Sequence, residues 1–308
     1  MKIFDKTPDF DFMSKRRLAM MFSIALLIIS IAALAIRGLN FGIDFTGGTL
    51  IELGYEEDAN LDEIRTSLEE SQLGQAVVQH FGNNKNVLIR IAPTEGLNSA
   101  DVSDNVVKVL KGADLRRVEF VGPQFGEELT NDGGIAMLLA LFCILLYVSL
   151  RFEKRFAVGS VAALFHDVII VLGFFALTQI KFEQSVLAAI LAVIGYSLND
   201  TIVVFDRIRE NFLKVRKKDT EEIMNISLNQ TLTRTVITSF TTLLVLIALY
   251  LLGGEVIKPF ALALIIGVVI GTYSSMYVAS TTALALGVSK EDLMPVEKEG
   301  AEADGSMP

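Results

Sequence analysis

Long uncharged apolar runs are the feature that most constrains the fold of this 308-residue chain. A run of about 18 or more such residues is long enough to cross the roughly 30 Å hydrocarbon layer of a membrane as an α-helix. Four runs contain no charge, and two more are equally apolar but contain acidic residues. They predict six membrane-spanning helices, at residues 18–36, 133–150, 156–178, 185–206, 235–254 and 259–287.

The composition excludes several classes of function. The net charge of -9 argues against binding to nucleic acid. The sequence also lacks the G-x-x-x-x-G-K-[ST] loop that would bind the phosphates of ATP. The single Cys143 allows no disulfide within the chain. We therefore expect no ATP hydrolysis by this chain. We further predict that it is not an enzyme and that it needs no metal or cofactor.

The first span has to be distinguished from a cleaved secretory signal, because Lys15, Arg16 and Arg17 precede it. A signal peptide has an apolar core of about 7 to 15 residues. The uncharged run here has 19 residues. The length favours an uncleaved membrane anchor over a signal peptide.

The distribution of lysine and arginine predicts the orientation. Basic residues concentrate in 1–17, in 151–155 and in 207–234, whereas the short loops on the other side contain only Lys181 and Lys258. Short cytoplasmic loops carry this excess in membrane proteins. We therefore expect both termini, the 207–234 loop and the acidic tail 288–308 in the cytoplasm.

Residues 37–132 then form a domain on the outer, periplasmic side. This segment has 17 acidic and 8 basic residues. Its apolar pattern predicts strands at 48–53, 76–81, 87–91 and 115–121, with helices at 61–71 and 99–110. The order β-α-β-β-α-β is typical of a ferredoxin-like α+β sandwich.

Ionisable groups inside the spans are the candidates for function, since a charge there costs about 2.5 to 3.5 kcal/mol on insertion scales. His166 and Asp167 are predicted near the middle of the third span, and Asn199 and Asp200 lie in the fourth span. Because adjacent helical residues point to different faces, only one of His166 and Asp167 needs to face a pathway. Each could equally be a static polar group.

Asp200 and Arg234 are predicted at a similar depth, where the long arginine could reach the carboxylate. Thr238 follows Arg234 by four residues and would lie on the same helical face. Burial raises the pKa of a carboxyl group and a neighbouring arginine lowers it, so alternation between paired and unpaired geometries would bind and release a proton. The alternative is a static ion pair that joins two helices. Asp206 is predicted to be a solvated residue paired with Arg207 or Arg209.

Several ordered stretches of the sequence resemble the SecD/SecF family of protein-export membrane proteins. They are FGIDFTGGT (41–49), FVGPQFG (120–126), LFHDVII (164–170), VIGYSLNDTIVVFDRIREN (193–211) and QTLTRTVITS (230–239). The resemblance extends from the first span to the sixth. It implies a bundle like half of a resistance-nodulation-division (RND) transporter, paired with a related SecD half.

The resemblance also implies a function and a set of site residues. Proteins of this family associate with the SecYEG channel and use the proton gradient to help preproteins move; YajC and YidC are further expected partners. The family pattern places Asp200, Arg234 and Thr238 in the proton pathway, to which we add Asn199, His166 and Asp167 as predictions.

Two glycine-containing stretches are predicted to join the outer domain to the membrane. Gly47 and Gly48 follow Asp44 in the first, and Gly122, Pro123 and Gly126 belong to the second. Glycine permits positive φ and proline restrains φ, so these residues could serve as hinges or form plain turns. Gly267 and Gly271 in the last span are predicted to allow close helix packing.

Two other functions remain open at the level of the sequence. The first is a proton-coupled exporter of small molecules of RND type, although six spans are only half of such a transporter. The second is an assembly scaffold whose buried charges are static. Gradient-dependent export and solute efflux would distinguish the three hypotheses.

Overall fold

The computed structural model of the chain describes residues 9–71, 76–93, 99–110, 112–215, 217–254 and 256–289. The first eight residues of the predicted N-terminal segment and residues 290–308 of the predicted tail lie outside the described residues.

Within the described part of the chain, six helical segments are long and apolar enough to cross a membrane, as predicted. The sixth span is interrupted by one π-helical turn. The spans are α1 (Arg16–Arg37), α5 (Pro123–Arg151), α6 (Lys154–Thr178), α7 (Gln184–Lys214), α8 (Thr220–Leu252) and a sixth made of α9 (Lys258–Ser274), the π-helical turn (Ser275–Ala279) and α10 (Ser280–Ala285).

Three of these helices extend well beyond the predicted apolar runs. The predicted 207–234 loop is mostly helical, because α7 continues to Lys214 and α8 begins at Thr220. Pairs of Glu210 with charged neighbours one turn away stabilise the end of α7. Asp219 and Glu222 form a capping box at the start of α8. Similarly, α5 starts in polar sequence ten residues before the predicted span at 133.

The segment between α1 and α5 forms a small α+β unit. After the short α2 (Ile43–Thr46), its elements are β1 (Gly48–Gly54), α3 (Leu61–Glu70), β2 (Ala76–Phe81), β3 (Asn83–Ile91), α4 (Ser99–Val109) and β4 (Asp114–Val121). The strands form one sheet in the order β2-β3-β1-β4, and every neighbouring pair is antiparallel.

Apolar side chains on one face of this sheet form the core of the unit. Alternate residues of a strand point to the same face, so a single face collects them. They pack against α3 and α4 and lose nearly all contact with solvent. The fully buried members include Ile51, Leu53, Val87, Ile89, Leu68 and Val106.

The α6–α7 connection (residues 179–183) holds the chain that leaves α1. The amide of Gly42 donates to the carbonyl of Phe182 (2.8 Å), and the amide of Phe182 donates to that of Asn40 (2.7 Å). The rings of Phe41 and Phe45 each pack against the Phe182 ring, with centroids 5.8 Å apart. The α+β unit is therefore anchored to the helix bundle at this point.

At the opposite end of the bundle, the residues before α1 are bound to α8. Asn229 exchanges two hydrogen bonds with the backbone of Phe10, and Asn225 accepts one from the amide of Phe12 (2.7 Å). Arg16 forms a bidentate ion pair with Glu221, with both N–O distances at 2.7 Å. This docking of residues 10–16 had no predictive pattern in the sequence.

Candidate functional site

Four side chains from three helices form a buried hydrogen-bonded group, here named the Asp167 cluster. Oδ2 of Asp167 on α6 accepts hydrogen bonds from the hydroxyls of Ser197 on α7 (2.5 Å) and Ser274 on α9 (2.7 Å). Oδ1 of Asp167 lies 2.9 Å from Nδ1 of His166. All four residues are at most 2% exposed. The cluster therefore joins α6, α7 and α9 through one carboxylate.

Small residues let these helices approach one another. A Cβ added to Gly271 would lie 3.0 Å from Cβ of Ser197, and one added to Gly267 would lie 2.1 Å from Cγ2 of Val193. Close packing of α9 on α7 is thus confirmed as the role of these two glycines. The π-helical turn begins directly after Ser274. Such turns occur frequently at functional sites in helices.

Apart from its contact with Asp167, the His166 side chain lies beside Tyr273, whereas Asp167 bonds Ser197 and Ser274. The His166 ring lies 6.4 Å from the ring of Tyr273, and Nε2 is buried with no hydrogen-bond partner among the described residues. Tyr273 donates to the carbonyl of Ala19 on α1 (2.6 Å). The sequence analysis required only one of His166 and Asp167 to face a pathway. In the structure both are buried, because α6 packs against α1 as well as against α7 and α9.

Ser274→Ala is expected to destabilise the folded protein by about 1–2 kcal/mol, because Asp167 loses one of its two hydroxyl donors. Denaturant or thermal unfolding in detergent measures this change. Ser149 on α5 is exposed, so Ser149→Ala is the matched control and is expected to be neutral. Equal stability of the two variants would show that the Ser274 hydrogen bond does not contribute.

Asp200 is buried, with 4% of its surface exposed, and its Oδ2 has no hydrogen-bond partner among the described residues. Arg234 on α8 is exposed. In the part of the chain that the structure describes, no ion pair within 4 Å joins the two. The static pair that was one alternative for Asp200 and Arg234 is therefore absent from this conformation. Arg234 is exposed on α8, whereas Asp200 on α7 is buried.

The neighbours of these two residues are placed as follows. The Thr238 hydroxyl donates to the carbonyls of Arg234 (3.0 Å) and Thr235 (2.9 Å) in its own helix. Thr235 is 1% exposed, and its hydroxyl has no described partner. Asn199 is exposed. Thr235, rather than Thr238, therefore supplies the buried unpaired hydroxyl on α8.

A second row of hydroxyl groups connects α7, α8 and α9. Tyr196 donates to Ser239 (3.3 Å), and Ser239 lies 2.6 Å from Oγ1 of Thr272. Tyr196 and Ser239 are one helical turn from Asp200 and Thr235, respectively. Sequence reasoning missed these residues and both serines of the Asp167 cluster, because a hydroxyl can bond its own helix and is common in apolar spans.

Asp206 lies at the end of the bundle where α5 and α6 meet. It pairs with Arg209 (3.5 Å) and with Arg151 (3.2 Å). Pairing with Arg209 is one of the two predicted alternatives. Arg207 pairs instead with Glu210.

The residues predicted as hinges flank the α+β unit. Gly47 and Gly48 have φ of 69° and 127°, and a Cβ on Gly48 would lie 2.6 Å from the carbonyl oxygen of Ile91. Both positions therefore require glycine. Gly122 caps α5 with φ of -63°, and Pro123 is the first residue of that helix, so this junction needs no positive φ. A positive φ, the property that favours glycine, is therefore found only at the first junction.

Two further residues fix these junctions in place. Asp44 accepts a hydrogen bond at Oδ2 from the amide of Gln184 (2.9 Å), at the start of α7. Gly126 is buried against the short α2, where a Cβ would lie 2.7 Å from the carbonyl oxygen of Phe45. These contacts make the junction a packed joint that includes the ends of both α5 and α7.

A cavity of about 480 Å³ lies between the sheet and the α6–α7 connection, here named the juxtamembrane cleft. Charged groups of both signs line it: Asp44, Glu52, Arg90, Arg117, Glu119, Lys181 and Glu183. Burial raises the pKa of Glu183, and the negative charge of Asp44 raises it further, against the opposing effect of Lys181 and Arg90. Burial lowers the pKa of Lys181, and the positive charge of Arg90 adds to that effect. The protonation of Glu183 and Lys181 is therefore coupled to the joint between the α+β unit and the bundle.

The arrangement is suited to holding and moving protons within the bundle. It offers two buried carboxylates, one buried imidazole and two sets of hydroxyl groups. Among the described residues, no three histidine, cysteine, aspartate or glutamate side chains are grouped to hold a metal ion.

Comparisons with known proteins identify relatives of nearly the whole chain. Residues 101–289 match the family described as protein export membrane protein SecD/SecF, C-terminal, and residues 32–59 match the SecD/SecF GG motif. Protein translocase subunit SecF of Vibrio alginolyticus is 53% identical over 95% of each chain. The protein of the same name from Pseudomonas aeruginosa is 48% identical over 92% of this chain and 94% of that relative.

Solved structures of SecDF resemble the fold. The crystal structure of SecDF, a translocon-associated membrane protein from Thermus thermophilus, matches 93% of this chain with a TM-score of 0.83 and 40% identity. A crystal structure of SecDF in a super-membrane-facing form matches the same share with a TM-score of 0.69 and 38% identity. In both comparisons this chain spans 39% of the SecDF chain.

Proposed function

Because this chain belongs to the SecD/SecF family of protein-export membrane proteins and acts as an accessory subunit of the Sec protein translocase, we propose that it uses the proton motive force to promote preprotein translocation. It does so as a transport component without a catalytic centre or a cofactor of its own. Movement of protons through the helix bundle takes the place of a chemical energy source.

The unpaired Asp200 is the observation that carries this proposal. A buried carboxylate oxygen without a hydrogen bond is unfavourable when charged, and binding a proton removes that charge. Approach of Arg234 would instead stabilise the charged form. The two protonation states thus favour different positions of α8 relative to α7. Thr235, Tyr196 and Ser239 supply hydroxyls beside this site.

The available energy is of the right order. A proton that crosses a potential of about 200 mV gains about 4.6 kcal/mol. Reversal of a two-state equilibrium from 1:99 to 99:1 requires about 5.5 kcal/mol. About two protons per cycle therefore suffice to switch the bundle between two conformations.

SecD is the proposed partner within the membrane. The SecDF chains are longer than this chain, which corresponds to 39% of each. Six spans then form half of an RND-like bundle, and the SecD half completes it. We further assign contacts with SecYEG and with the emerging unfolded preprotein, and with YajC and YidC as additional partners.

The proposed location is the bacterial inner membrane, with both termini in the cytoplasm. The excess of basic residues in 1–17, 151–155 and 207–234 supports this orientation. The α+β unit then lies in the periplasm. Its antiparallel sheet order and its β-α-β-β-α-β succession support a ferredoxin-like sandwich.

Export in inner-membrane vesicles tests the function directly. Vesicles that contain this chain and a SecD partner are expected to translocate a preprotein faster when a proton gradient is present, and an ionophore is expected to remove the difference. Proton-coupled efflux of small molecules by the chain alone in liposomes would support the RND-type exporter instead. Export that is unaffected by the ionophore would contradict the proposal.

Glu183→Gln is expected to stabilise the protein at neutral pH and to weaken the dependence of its stability on pH. The folded state raises the pKa of Glu183 above 4.5, so the stability contributed by its proton is complete below that value. It is lost as the pH rises through the raised pKa. Glutamine is neutral at every pH, so the variant keeps the stability that the protonated glutamate provides only at low pH. Melting temperatures in detergent between pH 4.5 and 8 measure the effect.

Glu69 on α3 is exposed, and Glu69→Gln is the matched control for the loss of one carboxylate. It is expected to leave the pH dependence unchanged. Identical pH profiles for Glu183→Gln and the unmodified protein would show that the cleft does not respond to protons.

A further inference from the structure

The juxtamembrane cleft lies where four membrane-spanning segments begin or end. Its lining includes Asn40 after α1, Lys181 between α6 and α7, Ser185 in the first turn of α7 and Pro259 in the first turn of the sixth span. Residues from all four strands form the opposite wall. Because lipid headgroups lie at the ends of spanning helices, the cleft borders the headgroup layer. Its volume of about 480 Å³ is within the range of small-molecule pockets.

The lining also contains apolar side chains from the ends of the spans. Ile180 and Pro259 are half-buried, and Val256 is 48% exposed. Exposed apolar surface beside a polar cavity favours an occupant that has both a polar and an apolar part. A membrane lipid has this composition.

Seven charged side chains line the cleft, four acidic and three basic. Arg117 pairs with Glu119 and lies directly opposite Glu52 in the register of β1 and β4, so one base is shared by two acids. The other four are Asp44, Arg90, Lys181 and Glu183, here named the charge quartet. His80 also lines the cleft, whereas Arg37 and Lys258 at the ends of neighbouring spans do not. The quartet is balanced, and the β1–β4 edge keeps one negative charge, which disfavours an anionic occupant.

The members of the charge quartet are close to one another but are not paired. In the part of the chain that the structure describes, none of the four forms an ion pair within 4 Å. Asp44, Lys181 and Arg90 are nevertheless near enough to shift the pKa of Glu183. Arg90 donates to the carbonyl of Phe41 (2.8 Å), and Asp44 accepts from the amide of Gln184 (2.9 Å), so both side chains are held in place. The space between unpaired charges of opposite sign suits a ligand that carries both signs.

We propose that the charge quartet binds the headgroup of one phosphatidylethanolamine molecule, with the phosphate at Arg90 and Lys181 and the ammonium at Asp44 and Glu183. Hydrogen bonds between charged donors and acceptors are the strong ones, and both halves of this headgroup can make them. The trimethylammonium group of phosphatidylcholine has no N–H to donate to the carboxylates. Phosphatidylglycerol would leave both carboxylates unmatched. The site is separate from the proton pathway, and the proposal does not depend on it.

A single tryptophan makes the occupant measurable, since the chain has none. Val256→Trp places the reporter in the lining of the cleft. Ile135→Trp on α5 is the matched control, because Ile135 is exposed near the same end of the bundle and does not line the cleft. The full chain is reconstituted in phosphatidylcholine that contains a small fraction of one lipid brominated near the headgroup end of its acyl chains. Quenching of tryptophan fluorescence is then compared for phosphatidylethanolamine, phosphatidylcholine, phosphatidylglycerol and diacylglycerol.

In the Val256→Trp protein, brominated phosphatidylethanolamine is expected to be enriched up to about fivefold over brominated phosphatidylcholine, because only the ethanolamine ammonium donates to the carboxylates. Brominated diacylglycerol, which has no phosphate, is expected to quench least. In the Ile135→Trp protein, phosphatidylethanolamine and phosphatidylcholine are expected to quench equally.

Two added substitutions separate the halves of the headgroup. Glu183→Gln is expected to remove most of the preference for phosphatidylethanolamine over phosphatidylcholine. Lys181→Gln is expected to keep that preference, since both lipids have the same phosphate, but to reduce the advantage of both over diacylglycerol by about fivefold. Equal quenching of the cleft reporter by phosphatidylethanolamine and phosphatidylcholine would overturn the proposal. Stronger quenching by phosphatidylglycerol, or a preference undiminished by Glu183→Gln, would overturn it as well.

Discussion

The Asp200→Asn variant is expected to lose the whole gradient-dependent part of preprotein export while retaining the part that proceeds without a gradient. Asparagine has nearly the same shape as aspartate, so the packing of α7 is retained. Its amide group does not bind and release a proton. The variant also lacks the charged form of residue 200 that an approaching Arg234 would stabilise. Export rates in inner-membrane vesicles, with and without an ionophore, measure the loss.

Asp206→Asn is the matched control for this experiment. It makes the same chemical change on the same helix, but at an ion-paired position beside Arg151 and Arg209. It is expected to keep the gradient-dependent part of export. Expression level and co-purification with SecD establish that each variant is assembled.

If the Asp200→Asn variant kept full gradient-dependent export, Asp200 would not be part of the proton pathway. Among the described residues, Asp167 would then be the buried carboxyl group left as a candidate for carrying the proton. Equal losses in Asp200→Asn and Asp206→Asn would indicate instead that α7 tolerates no change of charge, and the assignment of the proton to Asp200 would fail.

The Gly173→Val variant is expected to destabilise the bundle strongly, by about 1–3 kcal/mol or more. Gly173 on α6 lies at its crossing with α1, where a Cβ would approach Cβ of Ser30 to 2.2 Å and Cα to 2.5 Å. Movement of the Ser30 side chain alone does not relieve a clash with its backbone, so α1 has to shift. Thermal or denaturant unfolding in detergent measures the loss.

Gly134→Val on α5 is the control for this substitution, because no atom lies within 4 Å of a Cβ at that position. It introduces the same β-branched side chain into a membrane helix and is expected to have little effect. Adding Ser30→Gly to Gly173→Val is expected to restore part of the stability. Equal stability of the two valine variants would show that α1 is not held by this crossing.

The Asp200 and Arg234 pair shows where sequence reasoning reached its limit. Helical rise predicted the two residues at similar depth. Depth did not determine the rotation of α8, which turns Arg234 outward and Thr235 inward. Rotation depends on which side chains pack against α7 and α9, and those contacts connect residues distant in sequence.

The Asp167 cluster shows the same limit in another form. The sequence marked His166 and Asp167 because charged groups are rare in apolar runs. It did not mark Ser197 and Ser274, because serine is common in membrane helices. Only the crossing of α7 and α9 at Gly271 brings those hydroxyls to one carboxylate.

The amino-acid sequence by itself determined the six apolar spans, the segregation of the α+β unit between the first two of them, and the order of that unit's strands and helices. These features follow from local properties, since hydropathy and periodicity are read along the chain and membrane thickness sets the length of a span. Only the tertiary structure decided which buried polar groups meet, which of the two predicted junctions needs a positive φ, and how residues 10–16 dock on α8. Those outcomes depend on side-chain packing between helices, which no short stretch of sequence contains.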